Sequence, residues 1–349
     1  MNRFASELER EMQRIRPPGF DVGDLSRRRA RRERRRRIQA AVVALAVAGS
    51  GAAILARSLS FGGSQPVTEV RPHAVSSFPV GPRPSGIAFA DGSLWIGHRT
   101  LREVWRVDPQ SGLVQTRIPS GSSAPTAVAA GDGEVWAVAP SSSGSTLLRI
   151  DPASDSVVDS YPVGVIGNAI AVGDGRVWVA SETSRAVLVL STTGQRLARV
   201  AVSGAPSAVA LDRGGAWTVG TLDGALIRIT VPGFRAVVAA HVTGRPTGVA
   251  ECSGKPWVST GGGSVVSVDP RSGEVTTTPG GRFLTGVAQA GMVLWAVDGS
   301  GNEAIAIDCA TGRVLGRVAV GEEPTGVAAR AGGAWVLETA GGRVSVLAT

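Results

Sequence analysis

Beyond residue 73 the chain alternates short apolar runs with breaks rich in Gly, Pro, Asp and Ser, and the pattern repeats. Seven of the eight Trp fall at positions 95, 136, 178, 217, 257, 295 and 335, at steps of 38 to 42 residues. Each sits in one frame, as in Leu94-Trp-Ile, Val177-Trp-Val and Ala334-Trp-Val; only Trp105 lies outside it. A unit opens on a segment such as Pro84-Ser-Gly-Ile-Ala, makes a tight turn at a pair such as Asp91-Gly92, and enters the Trp strand. A third apolar strand ends in Asp108-Pro-Gln-Ser-Gly, and a fourth ends near Gly121. The openings recur at Pro125, Pro206, Pro246 and Pro324, the turns at Asp132-Gly133 and Asp174-Gly175, and the strand ends at Asp151, Asp269 and Asp308. An Asp-Gly pair supplies the positive φ angles of a two-residue hairpin.

Four short strands per ~40 residues describe a propeller blade. The pattern therefore predicts an all-β, seven-bladed β-propeller with four-stranded blades over residues 74–349. A solenoid would need capping repeats, and none is present. Seven large rings at one strand position are read as packing between blades rather than as stacking surfaces for a ligand. The last unit stops one strand short, after 343–348, while an orphan strand at 74–80 precedes the first unit. Its end, Phe78-Pro-Val-Gly81, matches the fourth-strand end Tyr161-Pro-Val-Gly164. The N-terminal strand is thus expected to complete the seventh blade and close the ring, leaving no sheet edge at the seam.

The first 57 residues follow another pattern. Phe4, Leu8, Met12 and Ile15 form an apolar stripe on a short helix, ended by Pro17 and Pro18. Residues 27–37 carry nine Arg in eleven positions, and residues 38–56 carry no charge. Nineteen helical residues rise ~28 Å, enough for a ~30 Å hydrocarbon core. An Arg block on one flank places the N-terminus in the cytoplasm and everything after Ser58 outside. The expected organisation is a basic cytoplasmic tail (1–37), a transmembrane helix (38–56), a linker (57–73) and the propeller, as a single-pass protein of the cell membrane. Two competing readings stay open: a soluble buried helix, and a signal peptide cleaved after Ala46-Val-Ala48, whose apolar run would be only eight residues long. The stripe on residues 1–16 offers a surface for a cytoplasmic partner, which would make the protein sensory.

Charge sharpens this division. Residues 1–37 hold 13 Arg against 6 acidic residues, whereas residues 58–349 hold 22 basic and 22 acidic residues. The formal charge of +8 therefore belongs to the tail, not to the propeller, which excludes nucleic acid as a partner of the whole molecule. Beside a membrane span, the stretch from Arg27 to Arg37 is expected to contact anionic lipid headgroups. Of the 36 basic residues only Lys255 is not Arg, and Gly reaches 47 of 349. The chain has no Cys-x-x-Cys, no His-Glu-x-x-His, no Gly-x-Ser-x-Gly and no phosphate-cradling loop, so no cofactor, metal or catalytic residue is assigned. The run Asp298-Gly-Ser300-Gly-Asn302-Glu303 opens like a calcium loop but has Glu303 where a Gly is needed, and reads as a polar hairpin loop. Cys252 and Cys309 fall at turns of adjacent blades; an extracellular location permits their pairing, and spacing alone leaves it open.

The motif Pro-Thr-Gly-Val-Ala…Gly-Ala-Trp-Val…Val-Asp-Pro-x-Ser-Gly resembles YVTN-type and NHL-type propellers and is similar to the repeats of the virginiamycin B lyase family. The N-terminal part resembles the anchors of actinobacterial membrane-bound propellers. The lyase resemblance implies a His and a Glu acting with Mg²⁺ on one face. The lyase Glu lies three residues after the Trp, where this chain has His98, Ala139, Ser181, Gly220, Thr260, Asp298 and Glu338, so that only Glu338 matches. The family arrangement places the loops before the opening strand and after the Trp strand on one face. Ligand-binding candidates on that face are Arg83, His98, Glu182, Arg245, Asp298 and Glu338, with Arg99 and Arg102 among the other charges. The expected function is binding or scaffolding of a protein, glycan or small ligand, with a Mg²⁺-dependent lyase as the alternative.

Overall fold

The computed structural model describes residues 71–122 and 124–349; the expected tail, span and most of the linker lie outside these residues. Among the described residues no helix is long and apolar enough to cross a membrane. Those residues form 28 strands, β1 to β28 in chain order, in seven four-stranded antiparallel sheets. The first complete blade comprises β2 (Pro84–Ala90), β3 (Ser93–His98), β4 (Glu103–Val107) and β5 (Val114–Pro119), hydrogen-bonded in that order. The turn pair between β2 and β3 has positive φ at both residues, 48° at Asp91 and 74° at Gly92. Asp132-Gly133 and Asp174-Gly175 repeat this geometry, as the two-residue hairpin requires.

The opening strand of each blade lies innermost and packs against the opening strands of both neighbouring blades, so the seven make a closed ring. Hydroxyl and amide groups stitch this ring: Ser85 donates to the Pro125 carbonyl (2.7 Å), Asn168 to Pro206 (3.2 Å) and Thr285 to Pro324 (2.9 Å). On the other face, Arg106 of the first blade donates to Asp155 of the second at 2.8 Å.

The core is seven apolar layers, one between each pair of blades. Trp95 clusters with Val128, Val135, Leu148 and Ile150 of the next blade, and Trp136 with Val177, Val179 and Leu188. The series continues around the ring until Trp335 of the last blade packs against Leu94, Ile96 and Val107 of the first. All seven rings are buried, none more than 4% exposed. The Trp are therefore inter-blade wedges, as their repeated position implied. The odd one, Trp105, joins the same layer as Trp335 and thickens the seam.

That seam is closed by β1 (His73–Pro79), which pairs antiparallel with β28 (Arg343–Ala348) outside β27 (Gly333–Glu338) and β26 (Pro324–Arg330). Arg343 reinforces the pairing through bonds to the Ser77 hydroxyl (3.1 Å) and carbonyl (3.0 Å). Phe78 enters the seam layer against the turn at Gly112, where a Cβ would overlap its ring. Tyr161 bears the same relation to Gly194 two blades on, so the sequence match between the two strand ends reflects one packing role. Trp335 stacks on Phe89 with centroids 4.6 Å apart and donates its indole N–H to the Pro109 carbonyl at 2.9 Å. The two cysteines form a disulfide, with Cα atoms 5.9 Å apart, that links the fifth and sixth blades.

Because β1 covers the open edge of β28 and brings Phe78 into the seam, a chain beginning at Pro84 is expected to unfold at clearly lower urea concentration than one beginning at Gln65, or to aggregate. Equal midpoints in urea titrations would show the seam strand to be dispensable.

Candidate functional site

Strand register fixes which residues share a face. Pro84 pairs with His98, Leu284 with Asp298, and Pro324 with Glu338. The loop entering each opening strand therefore lies beside the end of the Trp strand. Within this loop face the six candidate residues separate into two groups.

His98, Asp298 and Glu338 are buried, at 0%, 2% and 1% exposure. Each points into the loop that enters its own blade. Asp298 accepts backbone N–H bonds from Arg282 (2.7 Å), Phe283 (3.1 Å), Ser300 (3.0 Å) and Gly301 (2.9 Å). Burial alone would raise its pKa, but these four bonds outweigh it and hold the carboxyl below the usual aspartate value. Glu338 accepts the Gly321 N–H at 3.0 Å and the Ser345 hydroxyl. A Cβ at Gly281 or Gly321 would overlap the Asp298 or Glu338 carboxylate, so glycine at these loop positions makes room for the buried acid. His98 lies against the Trp105 ring with centroids 4.2 Å apart, and its Nδ1 is 3.5 Å from the Pro82 carbonyl. Burial pushes its pKa down, against the opposing pull of that carbonyl and of Glu103, so the ring is neutral near pH 7. In the first, sixth and seventh blades the residue three after the Trp is thus a clip that holds the entering loop.

Arg83, Glu182 and Arg245 are exposed and lie in different blades. The Glu182 N–H is held by the Asn168 side chain at 2.9 Å. Arg245 borders a cavity of about 560 Å³ with Asp223 and His241. Arg83 borders another, of about 610 Å³, with Arg99 and Arg102 from the β3–β4 loop, Thr325 and Thr339 from the last blade, and Ala124 from the second. The sequence placed Arg99 and Arg102 on this face without selecting them. Their signal is the spacing of four and seven residues after Trp95, which brings both beside Arg83 through the Pro84–His98 pairing.

The lyase resemblance implies Mg²⁺, and the residues present do not fit it. Mg²⁺ demands oxygen ligands, and the Asp298 and Glu338 carboxylates are already engaged, Asp298 by four backbone N–H groups and Glu338 by the Gly321 N–H and the Ser345 hydroxyl. Among the described residues no three His, Cys, Asp or Glu side chains are grouped to share a cation.

No family model matches the chain, and no curated protein sequence does. Solved structures do. Virginiamycin B lyase from Staphylococcus aureus is similar at a TM-score of 0.67 and 17% identity, over 78% of this chain and 98% of that one. A streptogramin B lyase aligns at 0.66 and 14%, over 81% and 99%. U3-55K aligns at 0.70 and 13%, over 80% and 100%. At such identities the likeness shows the seven-bladed propeller fold and no activity.

The clip reading has a measurable consequence. Asp298→Ala leaves four loop N–H groups without their acceptor and is expected to lower stability by about 2–4 kcal/mol at pH 7 in urea unfolding. Since the native carboxyl sits below its unfolded value, the difference between parent and variant is present above about pH 4 and closes as pH falls through the native value. A difference that is absent at pH 7, or that grows in acid, would contradict the clip.

Proposed function

We propose that the chain is a membrane-anchored, extracytoplasmic propeller that binds a ligand through its loop face. The observation that carries the binding reading is the split just described. The acids and the imidazole that would perform chemistry are buried in loop support, while the candidates left accessible are Glu182 and two arginines, Arg83 and Arg245, that border open cavities. Glu338, the single match to the lyase repeat, is buried and bonded to its own loop, which favours binding over a lyase reaction. The disulfide between Cys252 and Cys309 supports an oxidising compartment, in keeping with the uncharged stretch 38–56 behind its Arg block. A neutral domain recognises its partner by local loop chemistry rather than by bulk charge.

Two measurements test the reading. A reporter fused after Thr349 and active only outside the cytoplasm is expected to be active; activity of a cytoplasm-only reporter at that site would overturn the topology. The purified protein with Mg²⁺ is expected to leave a cyclic ester intact; turnover abolished by Glu338→Ala would establish the lyase instead.

A further inference from the structure

The cavity at Arg83 differs in chemistry from two other cavities among the described residues. Three guanidinium groups, Arg83, Arg99 and Arg102, border it together with Thr100, Thr325 and Thr339, and no carboxylate does. The cavity at Asp212 and Arg228 contains its own ion pair, at 3.1 Å, and the one at Arg245 includes Asp223. Several arginines elsewhere in the domain are engaged: Arg149 with Glu134 and Asp159, Arg317 with Glu303, Arg117 over Trp105. The three at the cavity have no acidic partner and no aromatic face among the described residues, and all three are exposed. Glu103, next in the chain to Arg102, does not border the cavity; its carboxylate is turned to the Trp105 indole N–H, which it accepts at 2.5 Å.

The backbone adds a second observation. Arg83 and Arg102 both adopt left-handed conformations, with φ of 45° and 56°. At the position of Arg102, seven residues after the Trp, the fourth and seventh blades have Gly224 and Gly342. A β-carbon in this region costs roughly 1–2 kcal/mol. Arg185 of the third blade and Arg245 of the fifth occupy the corresponding positions with φ of 46° and 59°, so what sets the first blade apart is that both left-handed cations border one cavity.

We infer that this cavity, between the last, first and second blades, binds a small organic anion bearing two or more carboxylate or phosphate groups. The planar guanidinium fork matches both oxyanions with paired N–H bonds. A volume of about 610 Å³ suits a metabolite-sized ligand rather than a buried polymer. The domain as a whole is neutral, so the attraction is local to this mouth. The inference rests on the binding reading above and narrows it to one cavity and one ligand chemistry.

The test is calorimetric titration of the detergent-solubilised full chain with two probes, citrate for carboxylate and inorganic pyrophosphate for phosphate. Saturable binding of at least one is expected, and the preferred probe identifies the oxyanion. The variant Arg99→Gln/Arg102→Gln is expected to weaken it by roughly tenfold or more, while Arg185→Gln, an exposed cation on the same face outside the cavity, changes it less than about twofold. Thermal melts of both variants confirm that the fold is kept, as expected for exposed side chains. Binding of neither probe by the parent, or equal weakening by Arg185→Gln, would overturn the inference. Either result leaves the topology reporter and the cyclic-ester assay to decide the broader reading independently.

Discussion

The structure depends on one contact made seven times: the indole of each blade wedged against the apolar face of the next. A blade alone is a four-stranded sheet with two exposed faces, and burying one large ring at each junction removes both from water. Since Trp335 packs on the first blade as Trp95 packs on the second, the contacts form a circle with no terminal face. A circle must also be locked where the chain ends meet. Here the lock is β1, which supplies the fourth strand of the last blade and inserts Phe78 into the layer that Trp335 and Trp105 share.

The same closure determines where charge can sit. Seven Trp strands end on one face, and the residue three positions after each ring lies next to the loop that enters the blade. A long polar side chain there meets unpaired loop N–H groups, which is why Asp298 and Glu338 are buried and hydrogen-bonded while small residues such as Ala139 and Gly220 serve in other blades. Acids in this place support the mouth of the propeller, while arginines around it remain exposed.

The fold was legible because its signals repeat. The Trp period, the Asp-Gly turns and the Pro-x-x-Val-Ala openings each recur, and the match of Phe78-Pro-Val to Tyr161-Pro-Val located the seam strand to within a residue. The site was legible only as a face. Nothing in the order of residues distinguishes Asp298, turned inward to four N–H groups, from Arg83, turned outward, because the distinction arises from loops that fold back over the strand ends. The grouping of Arg83 with Arg99 and Arg102 depends on cross-strand register, which single positions do not encode. The disulfide, likewise, requires a Cα separation that appears only when adjacent blades are placed side by side.

The central claim is that the ring of Trp contacts makes the propeller one cooperative unit. Native-state hydrogen exchange on the parent and on Trp335→Ala tests it directly. If the ring is the unit, slow amides of the opening strands in all seven blades share one opening free energy, and the substitution lowers it everywhere by about 3–5 kcal/mol. Loss of protection confined to the last and first blades, with the others unchanged, would contradict it.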